Sequence, residues 1–170
     1  MKAAEALREA AEFYYEACGL CEDEDLDPED SLEVVRRAFS SSDCDDFAFV
    51  LSLVTGWQCV RAEWSIPDWG FGHHALVRAP DGRLLDVTGW TDGAEVAKRY
   101  AGTSGSAFRF ADAEPVTSAI SCAPGGEAQD EDVLRIVSVI MALPYAPYDE
   151  GWLREKAAAF AGTEAPAVRP

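Results

Sequence analysis

The segment Cys44-Asp45-Asp46-Phe47-Ala48-Phe49-Val50-Leu51-Ser52-Leu53-Val54 constrains the fold more than any other. Its pattern predicts a helix that is apolar all round after the first turn, and such a helix is stable in water only when other elements cover it. Ser40-Ser41-Ser42-Asp43 precede it, and those residue types accept the free N–H groups of a helix start. Gly56 follows it and suits a helix end. The apolar stretch Phe47 to Val54 is far short of the roughly 20 residues that cross a bilayer, so the cover has to come from the protein itself.

The cover is legible on both sides. Residues 3 to 17 place Ala3, Leu7, Ala10, Ala11, Tyr14 and Tyr15 near helical spacing, with Gly19 just past the end. Glu22 to Asp30 is acidic and reads as a solvated loop. A second helix, capped by Asp30 or Ser31, continues through Leu32, Val35, Arg36 and Phe39. After Gly56 the period becomes that of strands: residues 57 to 64, then a loop at Pro67 and Gly70, then 72 to 79. Pro80-Asp81-Gly82 is a tight turn, and 83 to 88 return. A helix at 92 to 100 follows, then short strands near 108 to 110 and 116 to 120. Pro124-Gly125-Gly126 is a break. A helix at 130 to 143 is stopped by Pro144 and Pro147, and a last helix spans 150 to 161. Helices, then strands, then helices give an α+β class. The length of 170 residues fits one domain over 1–170, frayed from about 162.

Charge and cysteines narrow the function. The chain has 14 Lys+Arg against 31 Asp+Glu, a net charge of -17. That surface repels phosphate backbones and anionic membranes, so neither a nucleic acid nor a membrane is expected as partner. The N-terminus lacks the apolar middle of a signal peptide, which points to the cytoplasm and to mostly reduced thiols. Five cysteines leave one unpaired in any case.

Three features carry chemistry. Cys44 opens the buried helix, where the helix dipole favours a thiolate. Gly72-His73-His74 supplies the only histidines, and imidazole is the usual base near neutral pH. Asp86 lies on the strand returning from the turn. A three-residue Pro80-Asp81-Gly82 loop with left-handed Gly82 sets Ala79 opposite Arg83 and Asp86 opposite Leu76. His74 is then diagonal to Asp86 on one face, within side-chain reach, and His73 points the other way. A two-residue turn would put His73 there instead. Pro-Asp-Gly suits the longer loop, which selects His74 as base and as the histidine facing Cys44 in an open cleft. Asp43, Asp45 and Asp46 oppose ionisation of the thiol, so most of its activation has to come from the imidazole.

Asp43-Cys44-Asp45-Asp46-Phe47-Ala48, His74-Ala75-Leu76-Val77-Arg78 and Gly82-Arg83-Leu84-Leu85-Asp86-Val87-Thr88-Gly89 together resemble the transglutaminase-like branch of the papain-like cysteine hydrolases. The resemblance covers about residues 42 to 90. Leu76 stands where that family usually has Trp, and Val87 where it has Pro. It implies a papain-like core, with the nucleophile helix packed on a small antiparallel sheet and flanking helices. It implies Cys44 as nucleophile, His74 as base and Asp86 as orienting acid, with no cofactor and no metal. The expected activity is hydrolysis or acyl transfer at an amide or ester, of peptidase, amidase or deamidase type. The substrate is a protein, a peptide or a small amide or ester. The helix-start N–H of Cys44 is a natural oxyanion donor; the second donor is left open, with Gln58 a candidate by residue type alone. The rival reading is a binding or adaptor protein that keeps the fold without catalysis. Cys18-Gly19-Leu20-Cys21 has the spacing of half a zinc site but no second pair, and reads as two ordinary thiols. Cys59 and Cys122 are isolated. Trp57, Trp64, Trp69, Phe71 and Trp90 form either an aromatic groove or core.

Overall fold

The computed structural model describes residues 3–41, 43–66, 70–100, 108–112, 130–143 and 150–162. The expected strand at 116 to 120, the break at 124 to 126, Ser42, Trp69, Cys122, Pro144, Pro147 and the tail lie outside them. In chain order the elements are helices α1 (Ala3–Ala17), α2 (Ser31–Ser41) and α3 (Cys44–Thr55), then strands β1 (Gln58–Ile66), β2 (Gly70–Arg78), β3 (Leu84–Asp86) and β4 (Gly89–Thr91). Helix α4 (Gly93–Tyr100), strand β5 (Phe108–Asp112) and helices α5 (Asp130–Ala142) and α6 (Glu150–Gly162) complete them. Among the described residues this is a mixed fold of six helices and one five-stranded antiparallel sheet.

Local chemistry accounts for most boundaries. Asp30 caps α2, its Oδ1 accepting the N–H of Glu33 at 3.1 Å. Asp92 caps α4 through the N–H groups of Ala94 and Glu95. Gly56 ends α3 with φ 72°, a left-handed conformation that glycine adopts without Cβ strain. Asp43 stands at the N-cap of α3 but makes no side-chain cap bond. Its carboxylate instead accepts the Cys18 thiol at 3.1 Å.

The sheet order is β4-β3-β2-β1-β5. At the β2–β3 turn the N–H of Ala79 donates to the Arg83 carbonyl at 2.8 Å, and Gly82 has φ 88°. Val77 pairs with Leu85 and Arg78 with Leu84, the register of a three-residue loop. The returning strand is shorter than expected, because Asp86 accepts both the N–H (2.8 Å) and the hydroxyl (2.5 Å) of Thr88. That side-chain turn breaks the ladder, and the chain doubles back as β4.

Alternation along the strands sorts side chains into two layers. Ala75, Val77, Leu85 and Val87 pack with α1, α2, α3 and α5 in the larger core. Val60, Ala62, Leu76 and Leu84 pack with Val96, Tyr100, Phe108 and Phe110 in a smaller one under α4. Helix α3 is buried along nearly its whole length, Leu53 being the exposed exception.

Candidate active site

Strand β2 presents His74 to the α4 layer, and β3 presents Asp86 beside it. His74 is 1% exposed and Asp86 0%, with Nε2 3.0 Å from Oδ2. Arg99 at the end of α4 donates to the same oxygen at 3.0 Å. Burial alone would raise the Asp86 carboxyl. The hydrogen bond and charge of His74, then Thr88 and Arg99, outweigh it and hold the group below the usual carboxylate range. The Tyr100 ring stacks on His74 at 4.2 Å, with its hydroxyl 3.2 Å from Nε2. Nε2 therefore faces a carboxylate and a hydroxyl, which assigns the proton of the neutral ring to it. Nδ1 is buried and has no hydrogen-bond partner.

Cys44 is the first residue of α3, 6% exposed, in the larger core with Ala75. Burial pushes its thiol up to about 11, against the N–H of Ala75, which donates to the sulfur. Asp45 adds to the rise, so desolvation and a neighbouring carboxylate override the helix dipole that sequence reasoning set in favour of the thiolate. Asp45 itself is partly buried, which works against its ionisation. His73 and Arg61 nevertheless hold it below the ordinary range. Arg61 donates two N–H groups to Oδ1, at 3.1 and 2.9 Å, and His73 Nε2 lies 2.7 Å from Oδ2. The Cys44 sulfur, an Asp45 oxygen and a ring nitrogen of His73 all lie within 4.8 Å of one another. Thiolate, imidazole and carboxylate are also metal-ligand types.

The structure thus joins His74 to Asp86 and places a ring nitrogen of His73 within 4.8 Å of the Cys44 sulfur. The expectation that His74 faces the cysteine is corrected on this point. Hairpin parity fixes which histidine meets Asp86, and it does. It says nothing about which face of the sheet α3 covers, and α3 covers the face of His73, Ala75 and Val77. Among the described residues no side-chain hydrogen bond links Cys44 to either imidazole. The open cleft is corrected as well, since Cys44, His74 and Asp86 are all buried. A groove of about 240 Å³ lies instead on the His73 side, lined by Arg61, Glu63, Phe71, Gly72, His73 and Arg109.

Other sequence candidates separate. Gln58 begins β1 beyond the far end of the 12-residue helix α3, about 18 Å along the axis from Cys44. Its amide donates to the Cys59 carbonyl, so it is not the second oxyanion donor. Trp57 and Trp90 pack together on the larger core. Trp64 stacks on Tyr100 and Phe108 on the opposite face, and Phe71 is 84% exposed. Among the described residues these aromatics therefore form no single groove. No disulfide links Cys18, Cys21, Cys44 and Cys59 to one another. Sequence reasoning overlooked Arg99 and Tyr100. The signal was their helical spacing from Val96, which turns all three toward the sheet. Among the described residues no helix is long and apolar enough to cross a membrane. Against protein-family models, curated proteins and solved structures, the chain matches none.

Proposed function

We propose that this chain is a cysteine hydrolase or acyltransferase acting on an amide or ester, with a papain- or transglutaminase-like core. The observation that carries the reading is the polarity of His74. Asp86 holds Nε2 at 3.0 Å, while Nδ1 is buried without a partner. The Cys44 sulfur rests on the N–H of Ala75, the next residue along the strand. An imidazole oriented by a buried carboxylate, with its other nitrogen left as a base, is the arrangement that nucleophilic catalysis requires.

The reading requires the sulfur to turn from Ala75 past the edge of β2 to Nδ1 on the other face; among the described residues β3 pairs with β2 only at Val77 and Arg78, so the edge beside Ala75 has no β3 partner. The thiol proton then passes to Nδ1 as sulfur bonds to the substrate carbonyl carbon and the carbonyl electron pair moves to oxygen. The helix-start N–H of Cys44 faces the developing oxyanion. Collapse expels the leaving amine or alcohol, which takes the proton from the imidazolium, and a thioester remains. Water, or an acceptor amine, gives its proton to Nδ1, attacks the thioester and releases sulfur, which is reprotonated. Asp86 stays ionised and stabilises the imidazolium. Because the thiol sits near 11, proton transfer accompanies attack and no ion pair is preformed. Substrates are a peptide, a protein, or a small amide or ester.

A second reading has a specific observation behind it: Cys44, His73 and Asp45 lie within 4.8 Å of one another on the groove side. Here His73 is the base and Asp45 its orienting acid. Mass spectrometry of the acyl adduct formed with activated esters separates the readings. The proposal expects acylation of Cys44 that survives His73→Gln and falls about 100-fold or more in His74→Gln, the scale of a lost general base. The reverse pattern assigns the base to His73. No acylation of the wild-type chain by any ester or amide leaves a binding protein with an idle fold.

A further inference from the structure

We infer that Cys44, Asp45 and His73 form a binding site for a thiophilic divalent cation, Zn²⁺ foremost. The three donors come from the first turn of α3 and from β2, and they are a sulfur, a carboxylate oxygen and an imidazole nitrogen within 4.8 Å of one another. That mixture suits Zn²⁺ and disfavours Mg²⁺ or Ca²⁺, which take oxygen. Ligands on a tetrahedral zinc stand about 3.3 to 3.6 Å apart, as its bond lengths require. His73 Nε2 is 2.7 Å from Asp45 Oδ2, so this contact opens slightly while the sulfur closes in. Side-chain rotations accomplish both.

Two surrounding features fit the assignment. Arg61 grips only Oδ1 of Asp45, which aims Oδ2 at His73, and the N–H of Ala75 donates to the sulfur. Hydrogen bonds from outside the ligand set commonly orient metal ligands in this way. The guanidinium also offsets part of the carboxylate charge, so the site is weaker than three free ligands would make it. His73 is 45% exposed beside the groove, which gives an ion access and leaves room for water as a fourth ligand. Three protein ligands with one position open to water differ from the closed four-ligand set of a structural zinc.

Metal binding stands without the hydrolase reading. Its consequence for activity rests on that reading, since a zinc thiolate on Cys44 cannot attack a carbonyl, and the ion then acts as a reversible inhibitor. The test uses the full-length chain carrying Cys21→Ser, titrated with Co²⁺ and then with Zn²⁺ in competition. One ion per chain is expected, with a thiolate-to-cobalt charge-transfer band. Cys44→Ser abolishes the band. His73→Gln and the near-isosteric Asp45→Asn weaken binding about tenfold or more, with far-ultraviolet circular dichroism confirming that each is folded. His74→Gln leaves the band and the affinity unchanged, although it lowers acylation about 100-fold or more if the hydrolase reading holds. Absence of the band, or binding indifferent to Cys44→Ser and His73→Gln, overturns the site whatever acylation shows.

Discussion

Asp46 gives a stability experiment whose sign and size follow from its surroundings. The side chain is 8% exposed in the first turn of α3, and its Oδ1 has no hydrogen-bond partner. Burial first, then the charges of Asp43, Asp45 and Asp132, raise its pKa from 3.8 to about 7. The folded state therefore binds a proton that the unfolded state has released between these two values. Stability is greatest below the lower value, falls as pH rises through the window, and stays reduced above about 7. The full gap corresponds to about 4 kcal/mol. Residual solvent contact, salt screening and the favourable helix dipole reduce this to roughly 1–2 kcal/mol. Asp46→Asn, which mimics the protonated acid, should thus stabilise the protein by about 1–2 kcal/mol at pH 8. The gain should shrink toward zero near pH 4. Urea unfolding of both proteins at several pH values measures it. An equal gain at both ends of the range, or a loss at pH 8, would refute the reasoning.

Other perturbations give equally definite outcomes. Asp86→Ala strands buried His74 and leaves Arg99 without that oxygen, so it should cost about 3–5 kcal/mol in chemical denaturation. Because the folded Asp86 carboxyl lies low, wild-type stability from this group is present above the ordinary carboxylate value and is lost as pH falls through the folded one. Asp86→Asn should flatten that acid limb. A Cβ on Gly72 would meet the Trp64 ring at 2.6 Å, so Gly72→Ala should destabilise by about 1–3 kcal/mol and shift tryptophan fluorescence. Tyr100→Phe keeps the stack on His74 but removes the hydroxyl, a loss of about 0.5–1.5 kcal/mol in the melting analysis. In the folded resting protein at pH 7.5, iodoacetamide should modify exposed Cys21 well before Cys44. Early labelling of Cys44 would contradict its burial and raised thiol.

Local chemistry made much of the architecture readable in advance. The Asp30 cap, the glycines after α1 and α3, the buried character of α3 and the Pro-Asp-Gly loop each depend on a few neighbouring residues. The same locality delivered the His74–Asp86 pair, because loop length sets parity and parity sets the face. What could not be read depends on distant packing. Whether α3 lies over the odd or the even residues of β2 is decided by which layer buries more apolar surface. That larger layer includes α5, some ninety residues beyond Cys44. The desolvation that lifts the Cys44 thiol follows from the same burial and has no signature in the aspartates beside it. The Thr88 turn that cuts β3 short was missed because Asp86 serves it and His74 with different oxygens.

His73 and His74 are consecutive, yet the pleat gives them separate surroundings: one exposed beside Asp45, the other sealed between Asp86 and Tyr100. One imidazole stands on each face of the sheet. Their ring resonances therefore form a two-channel reporter intrinsic to the chain. A molecule arriving over the groove perturbs one signal, and a rearrangement under α4 perturbs the other. A slip of β2 by a single residue would exchange the two, so the pair also reads out strand register directly.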